Sequence, residues 1–192
     1  QILGTAGGVA TDVTMTGGSG AISVEDMGTD INDISLTTTG AISLNGTYTT
    51  SILSSGNADV GDVTLTGPVT LAGNTTIDTD SSNGTVGFTS TVDGGNTLTI
   101  SSGSGAVDFA GNIGATTALG DVTINSSPGT GTIDIEQIGD GDNLGGIVGS
   151  VAIGNSTTTQ VEFDGTIYKF GQVTGETDTV LITGTDTGTV LD

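Results

Sequence analysis

"DVTLTGPVTLAG", residues 62 to 73, holds two short runs of alternating residues on either side of a glycine and a proline. Val63 and Leu65 alternate with threonine, and after Gly67 and Pro68 so do Val69 and Leu71. Period-two alternation of this length marks a half-buried strand, and Gly-Pro marks a tight corner. Two such strands cannot bury their apolar sides alone, so the fold depends on what repeats around them.

The pair does repeat. Val13/Met15 precedes Ile22/Val24, and Ile34/Leu36 precedes Ile42/Leu44. Further on, Leu98/Ile100 precedes Val107/Phe109, Val122/Ile124 precedes Ile133/Ile135, and Val151/Ile153 precedes Val161/Phe163. A weaker last pair is Val180/Ile182 with Val190. The leading strands begin at 13, 34, 63, 98, 122, 151 and 180, at intervals of 21, 29, 35, 24, 29 and 29. Four of them read acid, aliphatic, Ser/Thr: "DVTM" at 12, "DISL" at 33, "DVTL" at 62 and "DVTI" at 121.

Repeats of this period belong to solenoids, propellers or arrays. Propeller blades need about 40 residues, four strands and aromatic signatures, whereas this chain is 3% aromatic. A parallel β-helix fits, with aliphatic residues stacked inward on their neighbours and Thr or Ser outward. The expectation is one all-β domain, residues 1–192, forming a parallel β-helix (β-solenoid) of about seven irregular rungs. At about 4.8 Å per rung it would be a rod about 30 Å long. The long interval from 63 to 98 is expected to hold an extra hairpin, with Val86/Phe88 on one arm and Leu98/Ile100 on the other. The alternative fold is a β-sandwich whose N-terminal "QILGTAGGVATDVTM" completes a neighbour's sheet by strand addition.

Helical periodicity is nearly absent, and no run of 18 apolar residues offers a transmembrane helix. The 192 residues carry 22 acids against one base, Lys169, for a formal net charge of −21. That charge repels phosphate backbones and anionic lipid, so neither nucleic acid nor membrane insertion is expected. Cations suit it better. The chain has no cysteine, histidine or arginine, which removes thiol and His-assisted nucleophilic chemistry. A non-enzymatic role is expected. The start at Gln1, without a charged and apolar-cored leader, reads as a processed chain or a piece of a longer one.

Residues 84 to 124, "GTVGFTSTVDGGNTLTISSGSGAVDFAGNIGATTALGDVTI", carry a resemblance. The strand-turn-strand phrase "TVDGGNTLTI" and the unit "VDFAGNIGATTALGDVTI" resemble the repeat region of filamentous-haemagglutinin-like and autotransporter-like bacterial surface proteins. The resemblance is close over about these 40 residues and looser elsewhere. It implies a right-handed parallel β-solenoid, exported and displayed or shed, and it brings no catalytic residues.

Candidate sites are sparse. "DTDSSNG" (Asp78, Asp80, Ser82, Asn83) and "DGDN" (Asp140, Asp142, Asn143) are candidate Ca²⁺ loops, because hard cations take several oxygen ligands. Neither is an EF-hand, and solvated turn acids are the competing reading. Asp12, Asp33, Asp62 and Asp121, each heading a strand, are expected to accept a turn amide. Asn45, Asn74, Asn83, Asn125 and Asn155 lie in Asn-x-Ser/Thr sequons. "TIYKF", with Tyr168, Lys169 and Phe170, reads either as a carbohydrate-stacking patch or as core plugging near the C-terminal rungs. The expected role is a structural segment of an extracellular or cell-surface bacterial fibre, partnered by copies of itself. The alternatives are an adhesin segment that binds glycan or host protein, and a pilin-like strand donor.

Overall fold

The computed structural model describes residues 2–3, 11–28, 30–51, 60–125, 129–140, 145–171 and 180–182. Every strand pairing among them is parallel, and partners lie about one coil apart in sequence. The chain is a parallel β-solenoid with three strand faces. Parallel pairing throughout excludes the sandwich, whose sheets are antiparallel, and strand donation loses its basis with it.

The first face stacks Thr11–Gly18, Ile31–Thr38, Val63–Thr66, Val86–Phe88, Val107–Ile113, Thr132–Ile138 and Gln160–Phe163. The second stacks Ile22–Val24, Ile42–Thr49, Val69–Asp78 and Val92–Asp93, then continues through Ile113 and Ile138 to Tyr168. The third begins at Ile2–Leu3 and Met27–Gly28 and ends with Leu98–Ser101, Val122–Ile124, Val151–Ile153 and Val180–Ile182. Between them it passes through Tyr48 and Ile77. Some strands therefore bend round a corner and serve two faces: Ile42–Thr49 and Val69–Asp78 join the second to the third. Val107–Ile113 and Thr132–Ile138 join the first to the second, with a bulge between Phe109 and Asn112.

On the first face the coil returns at Val13, Ile34, Val63, Val86, Val107, Ile133 and Val161. Seven levels enclose about six turns, against the seven rungs expected. The expected hairpin at 63 to 98 is not there. Val86–Phe88 lies parallel to Val63–Thr66 below and Val107–Ile113 above, so it is a full coil. The 35-residue interval is one coil plus the step from the first face to the third, because the leading strands at 98, 122, 151 and 180 belong to the third face. Val190 lies outside the described residues.

The core is a set of continuous aliphatic stacks. Leu36, Leu65, Phe88, Phe109 and Ile135 follow one another in register and are at most 1% exposed. Phe88 and Phe109 lie face to face, with ring centroids 4.5 Å apart and planes within 4°. In-register parallel stacking imposes this geometry, since identical side chains repeat at the strand spacing.

Glycine permits the close approach of coils at the corners. Gly61, Gly84, Gly105 and Gly131 each stand two residues before a first-face core residue, Val63, Val86, Val107 or Ile133. A Cβ on Gly84 would lie 2.0 Å from the Gly61 carbonyl oxygen, one on Gly105 2.0 Å from that of Gly84, and one on Gly131 1.8 Å from that of Gly105. No side chain fits there.

Candidate functional site

The polar side chains with defined partners mostly hold one coil to the next. Asp26 accepts the Thr47 N–H at 2.8 Å, Asp33 that of Asp62 at 2.8 Å, Asp62 that of Thr85 at 2.7 Å and Asp121 that of Ser150 at 2.8 Å. Asn83 does the same for Ser104 at 2.9 Å. In all five pairs the donor residue follows a glycine, Gly46, Gly61, Gly84, Gly103 or Gly149. At Gly46, Gly103 and Gly149 a Cβ would meet the accepting Asx oxygen itself, at 2.2, 2.6 and 2.2 Å. The acids heading strands thus do accept an amide, but at positions 33, 62 and 121 it belongs to the coil above. Asp12 instead accepts the side-chain N–H of Asn32, at 3.1 Å. Charge-assisted bonds of this kind are among the stronger ones in water.

A second set of polar groups is buried at the corner between the third and first faces. Thr50, Thr79 and Ser102, none of them measurably exposed, donate their hydroxyls to the carbonyls of Gly61, Gly84 and Gly105 at 2.6, 2.7 and 2.7 Å. Asn125 follows above Ser102 and bonds it twice: Oδ1 accepts the Ser102 N–H at 2.7 Å and Nδ2 donates to its hydroxyl at 2.8 Å. Buried polar groups need such partners.

In the first candidate cation loop, Asp78 Oδ1 accepts the Asp80 N–H at 3.1 Å, and the Asn83 oxygen is the inter-coil acceptor already described. Thr79 closes this turn by accepting from Ser82 and Gly84. In the second, Asp140 lies 3.5 Å from the Lys169 ammonium; Asp142 and Asn143 lie outside the described residues. Among the described residues, no three acids are grouped so as to hold a metal ion.

Two sequon asparagines are committed inside the fold. Asn125 is 1% exposed, and the Asn155 amide donates to the carbonyls of Asn125 and Gly129 at 2.6 and 2.9 Å. Asn45, Asn74 and Asn83 stand on exposed corners. The aromatic spot follows the core-plugging reading: Tyr168 bridges to Ile138 and Phe170 to Ile147, both extending buried columns. Tyr168 stacks edge-on against Phe163 at 4.9 Å and accepts the Gly165 N–H at 2.6 Å. Burial raises its phenol above the ordinary tyrosine range, against the lowering effect of that bond.

Spacing along the sequence did not bring out two further features. On the outer side of the first face, Asp108, Asp134 and Glu162 stand in register on successive coils. Partial burial, then the negative charges of Asp164, Asp108, Glu162 and Glu136, push the Asp134 carboxyl above its ordinary value. The signal was the acid in the middle of "VDF", "IDI" and "VEF", visible only once those strands are aligned. The other feature is an open groove of about 560 Å³ on the third face of the early coils, lined by Asp26, Met27, Gly28, Asp30, Thr47, Thr49 and Ser51.

No family model, no curated protein and no solved structure matches the chain. No helix among the described residues is long and apolar enough to cross a membrane.

Proposed function

We propose that the chain is a structural, non-enzymatic segment of an extracellular or cell-surface bacterial fibre, associating with copies of itself through open strand edges. The observation that carries this reading is the use to which its polar chemistry is put. Buried hydroxyls and corner Asx side chains bond from coil to coil, and the aliphatic columns run unbroken between them. Such a molecule propagates one geometry along an axis, which is what a fibre needs. The density of acid on the outside favours solubility and a saline, cation-containing medium. Electron microscopy of the purified chain at physiological salt tests it: end-to-end filaments are expected, and strictly single particles without end contacts refute it.

A second reading, an adhesin segment for glycan, draws on the groove beside Asp30 and Thr49. Its hydroxyls and carboxylates suit sugar hydroxyls, and its size suits one or two sugar units. A glycan-array signal lost in Asp30→Ala and Thr49→Ala would favour it over the fibre.

A further inference from the structure

The outer side of the first face changes character along the solenoid. From Asp108 onward the middle of the face carries carboxylates. In the earlier coils the acids Asp12, Asp33 and Asp62 stand at the heads of the strands, and beyond them run two uncharged columns. One runs Thr14, Ser35, Thr64, Gly87; the other runs Thr16, Thr37, Thr66 in register. Thr89 extends the second column, its N–H on the Leu65 carbonyl at 3.0 Å. Neighbouring coils are about 4.8 Å apart and alternate residues of one strand about 6.6 Å apart, so the hydroxyls form a near-rectangular lattice. Six of the seven belong to threonine, whose β-branch restricts χ1 and so fixes where each hydroxyl and methyl point.

Among the described residues, these seven hydroxyls have no protein partner. Thr38, Thr50, Thr79 and Ser102 differ, since their hydroxyls are held by backbone carbonyls. Behind the lattice Leu36, Leu65 and Phe88 are fully packed, so the sheet cannot readily flex. A stiff array of free hydroxyls holds its first water layer at fixed spacings. Immobilising each such water carries an entropic cost in the liquid. A solid whose own oxygens repeat at nearly those spacings takes in the held layer without reordering it. A dissolved sugar or peptide gains nothing from repetition across four coils, whereas a crystal plane does. The prism face of ice likewise presents its oxygens as a rectangular lattice, whose short repeat is near the coil spacing and whose long repeat is somewhat greater than the step between alternate residues.

We infer that the two hydroxyl columns of the first face, centred on Thr37 and Thr64, bind the surface of ice. This inference is independent of the fibre reading. The test uses the full chain in supercooled solution, reading the shape of growing ice crystals and the gap between melting and freezing points. The parent is expected to facet crystals and open a gap; Thr37→Lys and Thr64→Tyr are expected to lose both. Thr99→Lys, on the third face, is expected to retain both. Far-UV circular dichroism checks folding, and if Thr37→Lys does not fold, Thr64→Tyr decides, because its side chain is exposed. The inference is overturned if the parent leaves ice growth unchanged, if a folded first-face variant keeps full activity, or if Thr99→Lys alone loses it.

Discussion

Replacing Gly84 by alanine tests the corner packing most directly. The new Cβ would sit 2.0 Å from the Gly61 carbonyl oxygen, where real contacts are never below 3.0 Å, so the two coils must part by about 1 Å. The Val63 N–H bond to the Thr85 carbonyl, 2.9 Å, lies one residue away and would stretch beyond hydrogen-bonding range. One or two lost backbone bonds cost about 0.5–1.5 kcal/mol each, and overpacking adds about 1–3 kcal/mol. A loss of about 2–4 kcal/mol is expected. The control is Gly87→Ala on the next strand, where a Cβ meets nothing within 4 Å. There alanine should stabilise by about 0.5 kcal/mol, because glycine in a strand loses more chain entropy on folding. Urea titration followed by circular dichroism reads both, and hydrogen exchange should place the Gly84→Ala opening at residues 60–66 and 84–88. If Gly84→Ala is as stable as Gly87→Ala, the close-approach account of the corner glycines is wrong.

Other expectations rest on single contacts. Asp134→Asn should stabilise the C-terminal coils at pH 7 by a few tenths of a kcal/mol, the scale of like-charge cross-strand pairs. The folded-state pKa of Asp134 is raised, so the folded state holds its proton more tightly, and its destabilising effect fades as pH falls through that pKa. The advantage of the Asn variant should therefore shrink on acidification; a melting-temperature difference that is constant with pH would contradict this. Tyr48→Phe leaves the Val24 carbonyl and the Asn45 N–H without the hydroxyl they share, at 2.6 and 3.1 Å, and should cost about 1–3 kcal/mol. Ultraviolet titration of the parent should show this phenol, pushed up to about 12 chiefly by burial, ionising later than a free tyrosine. Phe109→Ala removes half of the stacked ring pair and should cost about 3–5 kcal/mol in a urea midpoint measurement. Asp62→Ala should cost about 1–2 kcal/mol, and Asp62→Asn much less, since Asn83 fills the same role with an amide oxygen.

Fold class was legible because Val, Ile and Leu at alternate positions keep one phase through each short strand. The first three coils, at Val13, Ile34 and Val63, read in register. The frame then slipped, for physical reasons. Val86–Phe88 has glycine where the strand below has Thr64 and the strand above Asp108, and Val92–Asp93 offers one aliphatic residue, so this coil reads as a loop with a hairpin. Tyr48 passed unnoticed because a shift in register between Leu44 and Gly46 breaks the alternation that leads to it. A different signal carried the frame: Gly-x-Val/Ile precedes the first-face strand at Gly61, Gly84, Gly105 and Gly131, and the second-face strand at Gly20, Gly40 and Gly67. Close approach of coils demands glycine there whatever the strand sequence, so it persists where the apolar pattern weakens. The candidate site was less legible. Acids at 33, 62 and 121 could be assigned to an amide, but not to one 23 to 29 residues later. The Thr and Asp columns of the first face exist only once the coils are stacked.

The five corner bonds from Asp26, Asp33, Asp62, Asn83 and Asp121 all run the same way, with the acceptor on the earlier coil and the donor on the later. That gives the stack an arrow of construction. A chain delivered N-terminus first lays down each of these five acceptors before the amide that needs it, so at those corners the finished coil is a template for the next. The Ser102 amide, by contrast, waits for a side-chain acceptor, Asn125, on the later coil. Delivered in reverse, the same amides would emerge with nothing waiting for them.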